Sequence, residues 1–164
     1  MRISGSCLVV LAITAVVGPA AAQTTETKMT LTLQGAKTVA AAASAEAARG
    51  KEGASIAIVD DGGNLIYLER IQPTFAMGAT ISTEKARTAA LFQKPTKILE
   101  DAIVNGRTPL LNAWSAPLNG GEPILVDGKI VGAIGVSGAS SAARDAAIAI
   151  AGAQALGSQT SAAR

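Results

Sequence analysis

The chain has 164 residues, 14 of them basic and 12 acidic, so its formal net charge is only +2. It has no basic run that would bind nucleic acid or an anionic membrane, and its length is that of one domain. Hydrophobic residues make up 49% of the chain, but aromatic residues only 2%, and histidine is absent.

The N-terminal segment, residues 1–22, is predicted to be a cleaved secretory signal rather than a retained anchor. Arg2 supplies a basic start, residues 7–17 are apolar, and three alanines at 20–22 form a small-residue cleavage signature. The apolar run is shorter than the roughly 20 residues that a membrane span needs. We therefore expect a periplasmic or secreted protein, with one domain over residues 23–156 and a flexible tail over 157–164.

A first helix is predicted over residues 33–49. Thr32 is placed to cap its start through the side-chain hydroxyl, and Gly50 suits the left-handed position that ends a helix. Alanines in its centre favour helix and bury little area each.

A first hairpin follows, with strands over 55–59 and 65–69. Asp60, Asp61 and Asn64 surround its glycine turn. Their spacing does not fit a calcium loop, so we interpret them as turn residues that bond their own backbone.

The loop at 72–78 carries Phe75 and Met77, apolar side chains that suit a pocket or a subunit interface. A helix is predicted over 82–92, with Ser82 as its cap. Ser82 and Lys85 also match the Ser-x-x-Lys pair of penicillin-recognising enzymes. The partner motifs of those enzymes are missing, which favours the cap.

A short helix is predicted over 96–105, capped by Thr96 and ended by Gly106. Residues 108–119 are left open, with an edge strand around Trp114 as one alternative.

The second hairpin turns at Asp127-Gly128, a strong type I′ signal between two apolar runs. In its second strand, Val131, Ala133 and Gly135 are predicted to share a face of mostly small residues, on which a helix can pack closely. A last helix over 142–156 is capped by Ser140 or Ser141.

The resulting order, α-β-β-α-α-(β)-β-β-α, predicts an α+β domain in which both hairpins join one antiparallel sheet. The segments VDDGGNLIYLER, ISTEKARTAALFQKPTK and GGEPILVDGKIVGAIGVSG resemble the GlcG/HbpS-like family of small haem-binding domains. The C-terminal domain of PduO-type proteins is similar. The resemblance covers residues 31–156 and implies a profilin-like antiparallel sheet flanked by helices. It also implies a homo-oligomer and, as in some members, bound haem or another tetrapyrrole.

Many family members have Gly-Gly-His at the first turn, where this chain has Gly62-Gly63-Asn64. Because the chain has no histidine, the conventional haem ligands that remain are Met29, Met77 and Tyr67, or else a water or hydroxyl.

The pocket that the resemblance implies is lined by Tyr67, Met77 and the loop Gly120-Gly121. Lys85 or Arg87 would meet the ligand's carboxylates.

The first hypothesis is therefore a binding protein for haem, a related tetrapyrrole or a small carboxylate. The alternatives are an enzyme of haem degradation or of glycolate-linked small-acid metabolism, and a structural oligomeric module. No two groups form a recognisable acid–base pair, so no catalytic residue is assigned.

Overall fold

The computed structural model describes residues 24–113 and 116–157. The predicted leader at 1–22, Trp114 and residues 158–164 of the predicted tail lie outside these residues. Within the described ranges, no helix is both long and apolar enough to cross a bilayer.

The described residues form four α-helices, four strands and one short 3-10 helix. They are α1 (Leu33–Gly50), β1 (Ala54–Asp60), β2 (Leu65–Ile71), α2 (Gly78–Phe92), α3 (Thr96–Val104), the 3-10 helix (Thr108–Asn112), β3 (Gly121–Val126), β4 (Lys129–Ser137) and α4 (Ala142–Ala153).

The strands make one antiparallel sheet in the order β2-β1-β4-β3. Its two hairpins join through β1 and β4, where Ser55 pairs with Ser137 and Ile58 with Ile134. The predicted α+β fold and the single antiparallel layer are confirmed. Residues 108–112 form the 3-10 helix, whereas the alternative strand was centred on Trp114, which lies outside the described residues.

Helices α1 and α4 cover one face of the sheet, which we call the α1 face. Isoleucine and valine side chains from β1 and β4 are buried there against small residues of the two helices. Members of this core include Val39, Ala43, Ile56, Ile58, Ile134, Val136 and Ile148.

Helix α2 covers the opposite face, the α2 face, through a second cluster made of Val59 and four alanines. A Cβ placed on Gly135 would lie 2.0 Å from the Ser82 carbonyl oxygen. One placed on Gly121 would lie 2.5 Å from the Lys85 carbonyl oxygen. The small-residue face predicted for β4 therefore allows α2 to rest directly on the sheet backbone.

Val131 is an exception to that face. A register shift between Ile124 and Leu125 leaves Val131 as an extra residue in β4, so it joins the α1-face core instead.

The caps were predicted in part. Thr32 and Ser141 accept hydrogen bonds from the amides of Gly35 and Arg144, at 3.1 and 3.2 Å. The left-handed residue after α1 is Lys51, with φ 54°, and not Gly50.

Two predicted caps are wrong. Helix α2 begins at Gly78, so Ser82 lies inside it and donates to the Ala79 carbonyl at 3.0 Å. The N-cap of α3 is Pro95, and Thr96 is the first helical residue.

Candidate functional site

Lys85 extends from α2 into the interior and forms a buried ion pair with Asp145 at the start of α4. Its Nζ lies 2.9 Å from Asp145 Oδ2 and donates to the Val136 carbonyl at 2.8 Å. The two charged side chains are only 4% and 9% exposed. Asp145 Oδ1 accepts from the Ala139 amide at 3.0 Å. The lysine predicted to meet an anion thus has a carboxylate partner within its own fold.

Gly120 and Gly121 lie beside this ion pair. A Cβ on Gly120, whose φ is +113°, would come within 2.9 Å of Asp145 Cβ and 3.1 Å of Lys85 Nζ. The Gly121 amide donates to Thr96 Oγ1 at 2.9 Å, and that hydroxyl donates to the Leu118 carbonyl at 2.7 Å. The structure therefore brings Lys85, Gly120 and Gly121 together, with Gly120 making room for the charged pair and Gly121 for the Lys85 backbone.

Met77 precedes α2, and Arg87 lies in the second half of that helix. Met77 is the residue before the helix and is 58% exposed. Arg87 lies beside the first hairpin turn, where its Nε donates to the Gly63 carbonyl at 3.2 Å and its Nη1 to Glu84 Oε1 at 2.8 Å.

Tyr67 lies on the other side of the sheet. It pairs with Ile58, packs against the α1-face core and donates its hydroxyl to Glu69 Oε2 at 3.3 Å. The negative charge of Glu69, together with burial, raises the pKa of Tyr67. The structure consequently does not bring Tyr67 together with Met77 and the Gly120-Gly121 loop in one chain. Met29 lines a small cleft before α1.

The sequence-based prediction missed an open surface on β2, at the sheet edge. Leu65, Leu68 and Arg70 pair with Val59, Ala57 and Ser55 of β1, and cross-strand partners share a face. Val59 packs with the alanines of α2, so these three side chains lie on the α2 face. We call them the β2 strip.

The two leucines of the strip remain 48% and 39% exposed, and Arg70 is exposed as well. Simple alternation would place Leu65 on the same face as Tyr67. A register shift at Ile58/Val59 separates them, and nothing in the local sequence marks it.

A second feature that was missed is a groove of about 670 Å³ between the edge strand β3 and the end of α4. Its lining is mostly apolar and includes one acidic side chain: Glu122, Pro123, Leu125, Ile150, Ala153, Gln154 and Gly157. Burial raises the pKa of Glu122 to about 7. The only sequence signal was one acidic residue in an otherwise apolar strand.

The turn at Asp60 is structural, as predicted. Its Oδ1 accepts from the amides of Gly62 and Asn64, both at 2.8 Å. In residues 24–113 and 116–157, no three carboxylate, thiol or imidazole groups gather into a candidate metal site.

Comparison with known proteins establishes the family. A family described as haem degrading protein HbpS-like matches residues 31–154. The chain belongs to the HbpS-like family. A similar individual protein is GlcG of Escherichia coli strain K12. It is 45% identical over 113 residues, which are 68% of this chain and 84% of GlcG. The resemblance seen in the sequence is confirmed.

Solved structures agree with this HbpS-like assignment. A double mutant of Streptomyces reticuli HbpS matches with a TM-score of 0.74 and 30% identity, covering 87% of this chain and 99% of HbpS. The PduOC:heme complex matches with a TM-score of 0.69 over 77% of this chain and 95% of PduOC. At 23% identity, that second likeness establishes a shared fold alone.

Proposed function

We propose that this HbpS-like protein binds haem or a related tetrapyrrole at the β2 strip, as a periplasmic or secreted binding protein. The observation that carries the proposal is the family match over residues 31–154, because the description of that family names haem. The predicted leader supports the location.

The donors that this chain offers fit haem in kind. Haem iron accepts methionine or tyrosine as well as histidine. Met77 offers an exposed thioether at the start of α2, whereas the Tyr67 hydroxyl is directed to Glu69 on the other face. We therefore assign Met77 as the protein ligand. Bound iron would supply redox or oxygen chemistry.

The β2 strip suits an amphipathic ligand with carboxylates. Leu65 and Leu68 provide apolar area, and exposed Arg70 provides a guanidinium that binds carboxylates well. Arg87 provides a second guanidinium, whose hydrogen bonds to Gly63 and Glu84 use Nε and Nη1. Lys85 is not assigned a ligand contact, because it is buried against Asp145.

A haemin titration of the mature protein tests this proposal. We expect saturable binding at micromolar haemin, followed by the Soret band. Met77→Ala should shift the Soret maximum and weaken binding about tenfold or more, while Met29→Ala serves as the matched control and should match the parent. Absence of saturable binding would overturn the proposal.

The family description also favours a second candidate, haem degradation. Ascorbate added to the haemin-loaded protein distinguishes the two. A Soret band that decays with release of one iron per haem would indicate degradation, and a stable band would indicate binding alone.

A further inference from the structure

We infer that the groove between β3 and α4 is a separate binding site for a small apolar amine, which Glu122 holds as its ammonium ion. This inference does not rest on haem binding, since the β2 strip lies at the opposite edge of the sheet.

The groove is open to solvent but has the size of a ligand site. Its volume of about 670 Å³ lies within the range of roughly 300–1,000 Å³ that small-molecule sites occupy. Leu125 and Ile150 supply apolar walls from β3 and α4. Glu122 pairs with Ile134, whose side chain points to α4, so the carboxylate lies on the α4 side of the edge strand.

The charge of the groove selects the ligand. No hydrogen-bond donor or cation meets the Glu122 carboxylate among the residues that the structure describes, and burial alone accounts for its raised pKa. Among the described residues that line the groove, Glu122 is the one titratable side chain. The residue opposite Glu122 on β4 is the uncharged Ile134, and Lys85 of α2 forms its ion pair with Asp145.

A carboxylate that has lost part of its water without gaining a partner is stabilised by a cation. An ammonium group on an apolar body satisfies both the carboxylate and the apolar walls. An anionic ligand is repelled instead, so the groove does not suit the propionates of haem.

Three probes with the same eight-carbon chain test the inference by calorimetry at pH 8. We expect octylamine to bind about tenfold more tightly than 1-octanol, the size of one charge-assisted hydrogen bond, and octanoate to bind most weakly. At pH 6, where Glu122 is largely protonated, octylamine should bind about tenfold more weakly, whereas the affinity for 1-octanol should stay the same.

Glu122→Gln keeps the shape of the groove and removes its charge, so octylamine and 1-octanol should then bind equally. Circular dichroism confirms that the variant is folded, and Glu26→Gln is the exposed control. Equal binding of amine and alcohol to the parent overturns the inference, as does a preference that survives in Glu122→Gln. No binding of any probe also overturns it. If no probe binds and the protein is a dimer that Ile150→Asp dissociates, the occupant of the groove is a second copy of the chain.

Discussion

The buried pair Lys85–Asp145 connects α2 to the start of α4 across the end of β4. Replacing Lys85 by Met leaves the Asp145 carboxylate buried without its cation. We expect the free energy of unfolding to fall by about 3–5 kcal/mol, the usual penalty for an uncompensated buried charge. Urea denaturation of the purified variant measures it.

An exposed ion pair in α3 provides the control. Lys97→Met removes the partner of Asp101 at the surface and should change stability by less than about 1 kcal/mol. The double variant Lys85→Met/Asp145→Asn should recover much of the loss, because the amide oxygen still accepts from Ala139. A Lys85→Met penalty no larger than that of Lys97→Met would contradict a structural role.

Glu122 makes stability depend on pH in the direction opposite to most acidic residues. Burial raises its pKa from 4.5 to about 7, so the native state holds the proton more tightly than the unfolded chain does. Stability is therefore lost as pH rises between about 4.5 and 7, and is level above that.

Glu122→Gln should be more stable than the parent by about 1–3 kcal/mol at pH 8, and equal to it near pH 4. The expected difference in the free energy of unfolding is smaller than the full pKa shift would give, because water screens a side chain that is only partly buried. Thermal melts across this pH range provide the measurement, with exposed Glu26→Gln as the control. If the curves of melting temperature against pH for the parent and Glu122→Gln remain parallel, the titration does not belong to Glu122.

Single residues also show where sequence reasoning ends. Lys85 stood out in its motif, but its partner lies 60 residues away and could not be paired with it from spacing. Glu122 was missed because the sequence does not show that α4 removes it from water. Tyr67 and Met77 were placed in one pocket because nothing local reveals which face of the sheet a helix covers.

Among the elements, the close contact of α2 with β4 can be tested most directly. A methyl group at Gly135 would lie 2.0 Å from the Ser82 carbonyl, so Gly135→Ala must push the helix off the sheet. We expect a loss of about 3 kcal/mol or more, at the severe end for overpacking.

Gly157→Ala is the matched control, since no atom of residues 24–113 and 116–157 lies within 4 Å of its Cβ position. Its urea midpoint should stay close to that of the parent. A Gly135→Ala variant of parent-like stability would mean that α2 does not rest on the sheet backbone.

The same elements explain which boundaries could be predicted. Both hairpins were recognised because turn residues and alternation are local signals. The start of α2 was misplaced because Met77, its N-cap residue, makes no capping bond through its side chain. Thr96 has the chemistry of a cap, but its hydroxyl donates to the Leu118 carbonyl and accepts from the Gly121 amide. These partners are distant in sequence, so the sequence alone could not reveal them.

For the molecule as a whole, the outer surface around α3 is unusually apolar. Val104 and Leu111 are 78% and 62% exposed and share a cleft of about 400 Å³ with Ile103 and Leu118. Monomeric proteins rarely expose contiguous apolar patches larger than a few hundred Å². This surface suits the subunit contact that the family resemblance implies, and a second copy of the chain would cover it.

Light scattering of the mature protein tests that homo-oligomer, which remains a prediction. We expect a mass of at least two chains at micromolar concentration. Val104→Glu places a charge in the centre of the patch and should lower the mass towards one chain, because burying an unpaired carboxylate at an interface is unfavourable. Ala41→Glu, an equivalent change on the exposed side of α1, should leave the mass unchanged. A parent that stays monomeric at every concentration, or equal effects of the two variants, would show that this surface is not a subunit interface.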